Sequence, residues 1–191
     1  MPIDFTAIDF ETANGSPASP CAFGLVRVRD GVLVEGLALL FHPPRGKDHW
    51  FHEGNIRVHG IHESDLEGAP EFSEALESML AFIGTDVLIA HNAPFDMGVL
   101  RASAAAIEAP LPELSYMCSL AMARKTYNLE SYRLNAVAYA VGHEEFNHHD
   151  ALADADACAR IVVHMAAKRH DVDNLDDLAA ATKQVLKPLH K

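Results

Sequence analysis

The chain has 191 residues, of which 49% are hydrophobic and 22% are charged. This composition predicts one globular domain, or a domain with a short appendage, and it supplies ample apolar material for a core. The formal net charge of −12 argues against a protein that coats or slides along duplex DNA, because phosphate affinity usually comes from Lys and Arg. It does not exclude a protein that reaches phosphates through bound cations, which themselves supply positive charge.

Three features of the sequence predict a cytoplasmic protein that does not enter membranes. No apolar run approaches the roughly 20 residues that a membrane span requires. The first residues lack the basic and apolar segments of a secretory signal. Cys21, Cys118 and Cys158 are odd in number and far apart, which argues against a disulfide framework and against a structural zinc site.

The order of predicted elements favours an α/β fold. A strand at residues 5–11 is followed by β-rich runs at 22–29 and 32–41, which Asp30-Gly31 joins as a hairpin. An irregular stretch rich in His, Pro and Gly covers residues 42–60. We then predict helices at 70–82, 94–106, 119–126, 134–141, 150–169 and 175–186, with strands at 87–90 and 115–118. This order predicts helices layered on a mixed sheet, with ligands at the C-terminal ends of the strands.

The end of the chain is predicted to form a short helical appendage, residues 171–191, to a main domain of residues 1–170. The appendage docks on this domain, on a second copy of the chain or on a partner, and the sequence leaves these alternatives open. The mostly apolar stripe that would dock consists of Leu175, Leu178, Ala179, Thr182, Val185 and Leu186.

The first candidate site residues are two acids in the first strand. Asp9 and Glu11 point to the same face because side chains alternate along a strand. Two acids at the end of a buried strand repel each other and are costly to desolvate, and a divalent cation between them removes both costs. The alternative is that the strand end is frayed into solvent.

Two further acids follow in helices. Asp96 lies in the first turn of its helix, where the helix dipole alone is sufficient to explain an acid. Asp154 shares a core-facing stripe with Cys158, Ile161 and Met165, and an acid in such a stripe needs a partner or a metal. A buried salt bridge is the alternative to a metal ligand. Asp156 lies off this stripe, where we expect it to pair with Arg160 four residues later.

Histidines supply the remaining candidates. His149 precedes the helix of Asp154 and is expected in its cap or loop, from where its imidazole reaches the same site as a general base. The alternative is an ordinary surface residue, since the chain has 12 histidines. A zinc site is not expected in the irregular stretch, because its histidines lack an HExxH pattern; they are His42, His49, His52, His59 and His62.

Three motifs in order are DFET at residues 9–12, HNAPFD at 91–96 and HDALADA at 149–155. They resemble the motifs of the DEDDh-type 3′–5′ exonucleases, whose third motif is a His, four residues and an Asp. This family includes proofreading subunits of bacterial replicative polymerases, oligoribonucleases and tRNA-trimming exonucleases. The resemblance covers roughly residues 4–168. It implies a ribonuclease H-like three-layer fold, with a central mixed β-sheet flanked by helices.

The resemblance also implies roles for individual residues. Two magnesium ions, for which manganese can substitute, would be held about 3.5–4 Å apart, and His149 would be the general base. The four metal-binding acids would be Asp9, Glu11, Asp96 and Asp154. The residues implied to hold, orient or stack the 3′-terminal nucleotide are Thr12, Ala13 through its backbone, His91, Asn92 and Phe95.

One departure from the family concerns the residues after the first motif. Proofreading subunits carry a glycine and a bulky apolar wedge there, whereas this chain has Ala13, Asn14, Gly15 and Ser16. The sequence therefore leaves open how the end base is separated from its neighbour.

The function predicted from the resemblance is hydrolysis of single-stranded DNA from its 3′ end, with release of nucleoside 5′-monophosphates. The partner is the 3′ end of a nucleic acid, with a polymerase or a second copy of the chain as further candidates. One alternative is an exoribonuclease acting on short RNA or RNA 3′ tails, since the same acids serve both sugars. Another is a catalytically silent binding module of the same fold.

Overall fold

The computed structural model describes residues 3–46 and 49–190. Within these residues one sheet has six strands in the order β3-β2-β1-β4-β5-β6. β1 pairs parallel with β4, and β4 pairs parallel with β5, whereas the other neighbours are antiparallel. The sheet is therefore mixed, as predicted. The strands are β1 (Phe5–Thr12), β2 (Pro20–Arg29), β3 (Val32–Leu40), β4 (Leu88–Ala90), β5 (Ser115–Cys118) and β6 (Lys187–Pro188).

Helices cover both faces of this sheet. On one face, α4 to α7 bury a core with Phe5 and Ala7 of β1. On the other face, α2 and α3 pack against Ile8 and Phe10. Successive side chains of β1 are thus buried on opposite faces of the sheet, which produces the predicted three layers. The helices are α1 (Glu53–His59), α2 (Phe72–Ile83), α3 (Pro94–Ala106), α4 (Ser119–Thr126), α5 (Leu134–Ala140), α6 (Ala151–His164) and α7 (Leu175–Ala181).

Local signals explain several element boundaries. The β2–β3 hairpin turns at Asp30 and Gly31, which both have positive φ (48° and 72°), as a two-residue hairpin turn requires. α2 ends at Gly84, also with positive φ. α6 begins after Asp150, whose side chain accepts a hydrogen bond from the amide of Ala153, and it continues as a π-helical segment, Met165–His170.

Two predictions of local structure were wrong. The stretch at residues 42–60 is not irregular throughout, because it contains α1. α1 buries none of its residues, so it carries no apolar periodicity that a sequence pattern would show. The last helix ends at Ala181 rather than at residue 186. Lys183 has a positive φ of 53°, and the chain then extends into β6, which pairs with β5.

The C-terminal segment packs on the rest of the described chain. Leu175 and Leu178 are buried in the core around α6, and Leu189 is buried with α2 and α3. Val185 is 69% exposed and lies outside both. The boundary at residue 170 between domain and appendage stays a prediction. In the part of the chain that is described, no helix is long and apolar enough to cross a membrane.

Candidate active site

Three carboxylates meet where β1 ends. One oxygen each of Asp9, Glu11 and Asp154 lie within 4.8 Å of one another. Asp9 and Glu11 share a face of β1 with Ala7, and Asp154 reaches them from the first turn of α6, which packs on that face. The faces predicted for the acids on β1 and α6 are confirmed. Asp9 and Asp154 are neighbours in the structure although they lie 145 positions apart in the sequence.

A glycine allows α6 to approach this closely. Gly24 is the cross-strand partner of Asp9, and a methyl group placed on it would lie 2.1 Å from the carbonyl oxygen of Ala151. Backbone of α6 therefore occupies the space that a side chain would fill in any other residue. This contact places the first turn of α6, and with it Asp154, beside Asp9.

Asp96 lies behind the other three acids. It is 1% exposed in the first turn of α3, and its Oδ1 accepts a hydrogen bond from the amide of Phe10 at 3.3 Å. Its charge is the second-largest influence on the pKa of Asp9, after burial. The second motif therefore contributes to the same electrostatic site, although its carboxylate lies outside the group of three.

The acids have raised pKa values because they are buried together. Burial, and then the charges of Asp96 and Asp154, raises the pKa of Asp9 well above its usual value. Burial and the charge of Asp154 raise the pKa of Glu11 to about 8. Burial also raises the pKa of Asp96 to about 8. A divalent cation would remove this repulsion, so the residues present fit the metal that the fold implies.

Two adjacent histidines border the acids. His149 precedes the cap of α6, with a positive φ of 73°, and its amide donates to Oδ2 of Asp154 at 3.1 Å. Burial, and then the charge of His148, lowers its pKa. His148 was not predicted from the sequence. Its Nδ1 lies 2.8 and 3.0 Å from the two oxygens of Asp154, and its ring stacks on His149 with centroids 3.9 Å apart.

A cavity of about 580 Å³ opens over the acids. Of the predicted substrate residues, Thr12 and Phe95 line it, and Phe95 is 49% exposed. The sequence did not single out the wall formed by α1. Val58, 51% exposed, also faces this cavity. The other lining residues are Asp9, Phe10, Glu11, Asn14, Gly15, Ser16, Pro17, Gly54, Asn55, His59, His149 and Asp154.

Polar contacts attach α1 to the end of β1. Asn55 donates from Nδ2 to the carbonyl oxygen and Oγ1 of Thr12, at 2.9 and 3.2 Å. Nε2 of His59 lies 3.2 Å from the same carbonyl oxygen. His59 lies in the stretch that was predicted to be irregular. It forms part of the wall of the site.

The remaining predicted substrate residues lie outside the cavity lining. Ala13 is fully buried, its amide donates to Ser19, and its carbonyl accepts from His52. His91 bridges Oγ of Ser119 and the carbonyl oxygen of Tyr132, both at 2.9 Å. Asn92 is exposed with a positive φ of 77°. Their roles in substrate binding stay predictions.

Among the described residues, two groups of three side chains are able to hold a metal ion. One comprises Asp9, Glu11 and Asp154, and the other comprises His148, His149 and Asp154. Both belong to the site already described.

Comparison with known proteins identifies similar sequences and structures. A bacterial DNA polymerase III of PolC type from Thermotoga petrophila is 30% identical over 97% of this chain. The chain spans 13–14% of the length of the PolC-type relatives first matched. Exonuclease X in complex with 5′-overhanging duplex DNA superposes with a TM-score of 0.73 and 21% identity, over 93% of this chain and 99% of that one.

A second solved structure is the nuclease domain of 3′hExo, a DEDDh family member, bound to rAMP. It superposes with a TM-score of 0.74 and 16% identity, over 87% of this chain and 92% of that one. At these identities the two structures establish the fold. The family model described as Exonuclease (RNase T) matches residues 6–162. The chain therefore belongs to this exonuclease family.

Proposed function

We propose that the protein is a metal-dependent 3′–5′ exonuclease that releases nucleoside 5′-monophosphates from single-stranded DNA. The observation that carries this proposal is the group of Asp9, Glu11 and Asp154 at the floor of an open cavity. Burying several carboxylates close together is costly, because they repel one another and lose contact with water, and family membership alone does not require them to be there. Catalysis provides a reason for them.

Asp9, Glu11 and Asp154 would hold divalent metal ions, and Asp96 would support them from behind Asp9. Carboxylate oxygens suit magnesium and manganese equally. Two ions, when bound, would stabilise charge on the phosphate oxygens and lower the pKa of water. The rest of the chemistry falls to the protein, which has to position the phosphodiester and accept a proton.

His149 would accept that proton. The lowered pKa leaves its imidazole neutral at physiological pH, which is the form that a general base requires. A water molecule would lose its proton to an imidazole nitrogen and attack the terminal phosphorus. The bond from phosphorus to the 3′-oxygen of the penultimate nucleotide would then break. His148 would orient both partners, since it contacts Asp154 and stacks on His149.

The cavity walls would hold the terminal nucleotide. Val58 and Phe95 present exposed apolar surface on two different helices, which suits contact with a base. These side chains would replace the wedge that is missing after the first motif. Thr12 would approach the sugar, with its position fixed by Asn55 and His59. Ala13, His91 and Asn92 would support this arrangement from outside the cavity.

The test is hydrolysis of 5′-labelled single-stranded DNA and RNA of one sequence by the purified protein, in magnesium, in manganese and in chelator. We expect a ladder that shortens one nucleotide at a time from the 3′ end and disappears with chelator. Cleavage of neither substrate in either metal would contradict the proposal and favour a silent binding module.

RNA is the second candidate substrate, because the neighbouring structure of 3′hExo is bound to rAMP. The ratio of the two rates in the same experiment decides between the sugars. A polymerase partner is suggested by the PolC-type relatives, in which the matching region is a small part of a longer chain. A second copy of the chain is the other proposed partner, and light scattering with and without nucleic acid would test it.

A further inference from the structure

Several arginines of the described chain form ion pairs with acids nearby. Arg29 contacts Asp86, Arg45 contacts Glu71, and Arg160 contacts Asp156. Seven exposed cations have no acid within ion-pair distance in the described residues. Because the chain carries a net charge of −12, a group of such cations on neighbouring elements is of interest. Five of the seven lie on α4, directly before α5 or on the π-helical segment, and we call them the cationic track: Arg124, Lys125, Arg133, Lys168 and Arg169.

Contacts between α4 and the π-helical segment make this track continuous. Oγ1 of Thr126 lies 2.8 Å from Nε2 of His170. Oη of Tyr127 lies 2.8 Å from Nδ1 of His164, and the guanidinium of Arg169 stands 5.3 Å from the centre of the Tyr127 ring. Arg124 and Lys125 at the end of α4 are therefore held beside Lys168 and Arg169.

The track also reaches the edge of the active site. Tyr132 donates from Oη to the carbonyl oxygen of Tyr127 at 2.8 Å, and its own carbonyl contacts His91. Arg133 follows directly and is exposed. Besides burial, the charges of Asp154 and Arg124 influence the pKa of His91. The cationic track and the acids therefore both lie close enough to this imidazole to act on it electrostatically.

We propose that the cationic track binds the phosphates of the substrate strand upstream of the bond that is cut. The occupant is a single nucleic-acid strand, because its phosphates complement a row of cations on an otherwise acidic molecule. The inference rests on the proposed function, which places the 3′ end in the cavity. It goes beyond that function by assigning the grip on the rest of the strand.

The length of α6 and of the π-helical segment that continues it sets the number of nucleotides that the cationic track is expected to cover. Lys168 lies 14 residues after Asp154, which corresponds to roughly 21 Å along a helix. At about 3.4 Å per nucleotide of a stacked strand, the track covers about six nucleotides. Substrates shorter than this would miss its distant end.

The test is binding of 5′-fluorescein-labelled oligo(dT) of 3 and 20 nucleotides, followed by fluorescence anisotropy in chelator. We expect the wild type to bind the 20-mer more tightly than the 3-mer. In Arg124→Gln/Lys125→Gln the 20-mer should bind about tenfold more weakly, and the slope of log Kd against log salt should fall by about 1.4. The 3-mer should bind unchanged.

Arg45→Gln/Lys187→Gln is the matched control, since it removes the same charge outside the track and should leave both affinities unchanged. Should the first variant fold poorly by thermal melting, Arg133→Gln/Lys168→Gln replaces it. Equal 20-mer affinity in wild type and a folded track variant would overturn the proposal. The cations would then serve only the negative ends of their helices.

Hydrolysis of the 20-mer in magnesium separates this result from the proposed function. Wild-type hydrolysis with unchanged binding in the track variants would overturn the track and leave the exonuclease in place. Loss of binding in those variants, with no hydrolysis by the wild type, would support the track and overturn the exonuclease.

Discussion

The two ends of β1 both lie beside acids that are partly or fully buried, but the surroundings of the acids at the two ends are opposite. At the N-terminal end, Asp86 accepts a hydrogen bond from Oγ1 of Thr6 at 2.7 Å. Arg29 donates to both of its oxygens, at 2.9 and 2.8 Å. At the C-terminal end, Asp9 and Glu11 have raised pKa values because acids surround them and burial removes water.

This difference separates a structural acid from a functional one. A guanidinium beside a buried carboxylate offsets the cost of its desolvation, so Asp86 is explained by the fold. Glu11 has no guanidinium partner in the described contacts. Its buried charge therefore makes the fold less stable when no metal is bound. Destabilising groups of this kind concentrate at functional sites, and the comparison predicts that substitutions at the two ends have opposite effects.

The largest expected effect is on turnover at the acidic end. His149→Ala should lower kcat by a factor of about 10²–10⁴, because general-base catalysis contributes that much, and Asp154→Asn should lower it at least as far. Single-turnover hydrolysis of labelled DNA measures both. Asp156→Asn is the control, since this acid pairs with Arg160 away from the cavity. Full activity in either variant would remove the role assigned to that residue.

The next effect tests how closely α6 approaches the acidic end. Gly24→Ala should cost about 3 kcal/mol of unfolding free energy and shift Asp154, because the added methyl group meets the backbone of Ala151. A misplacement of about 1 Å is sufficient to lower kcat about 100-fold. Gly36→Ala is the control, since its methyl group would meet only the end of the Leu152 side chain, at 3.2 Å. Urea unfolding and kcat of both variants should separate them clearly.

The comparison itself is tested by removing one acid from each end. In chelator at pH 8, Glu11→Gln should raise the unfolding free energy by about 1–3 kcal/mol, because it removes a buried charge. Asp86→Asn should lower it by about 2 kcal/mol, because the guanidinium of Arg29 loses its counter-charge. Destabilisation of similar size by both substitutions, measured by urea unfolding, would show that the two ends do not differ.

A further effect is a dependence of stability on pH. The folded protein keeps the Glu11 proton up to a pH of about 8, whereas the usual pKa is 4.5. The unfolded chain therefore releases this proton first, and folding becomes less favourable as pH rises from about 4.5 to about 8. The loss is about 1.4 kcal/mol per pH unit for each such group. Melting in chelator should show this decline, and magnesium should restore more stability at pH 8 than at pH 5.

Much of this site follows from sequence periodicity. The alternation of β1 placed Asp9 and Glu11 on one face, and the stripe of α6 placed Asp154 among Cys158 and Ile161, all of which the structure confirms. α1 escaped prediction because polar contacts to Thr12, rather than buried side chains, hold it in place. His148 escaped because two consecutive histidines look alike until the backbone turn at His149 decides which ring contacts Asp154.

The hydrogen bond from the amide of Phe10 to Asp96 joins residues 86 positions apart in sequence. Chain entropy has to be lost before contacts of such long range bring any gain, so we expect them to form late in folding. The cavity therefore assembles only once the sheet and α6 have come together. A truncated or partly synthesised chain would contain the acids of the first two motifs, and we expect it to have no nuclease activity. Recovery of nuclease activity during refolding would consequently report completion of the fold rather than initial collapse.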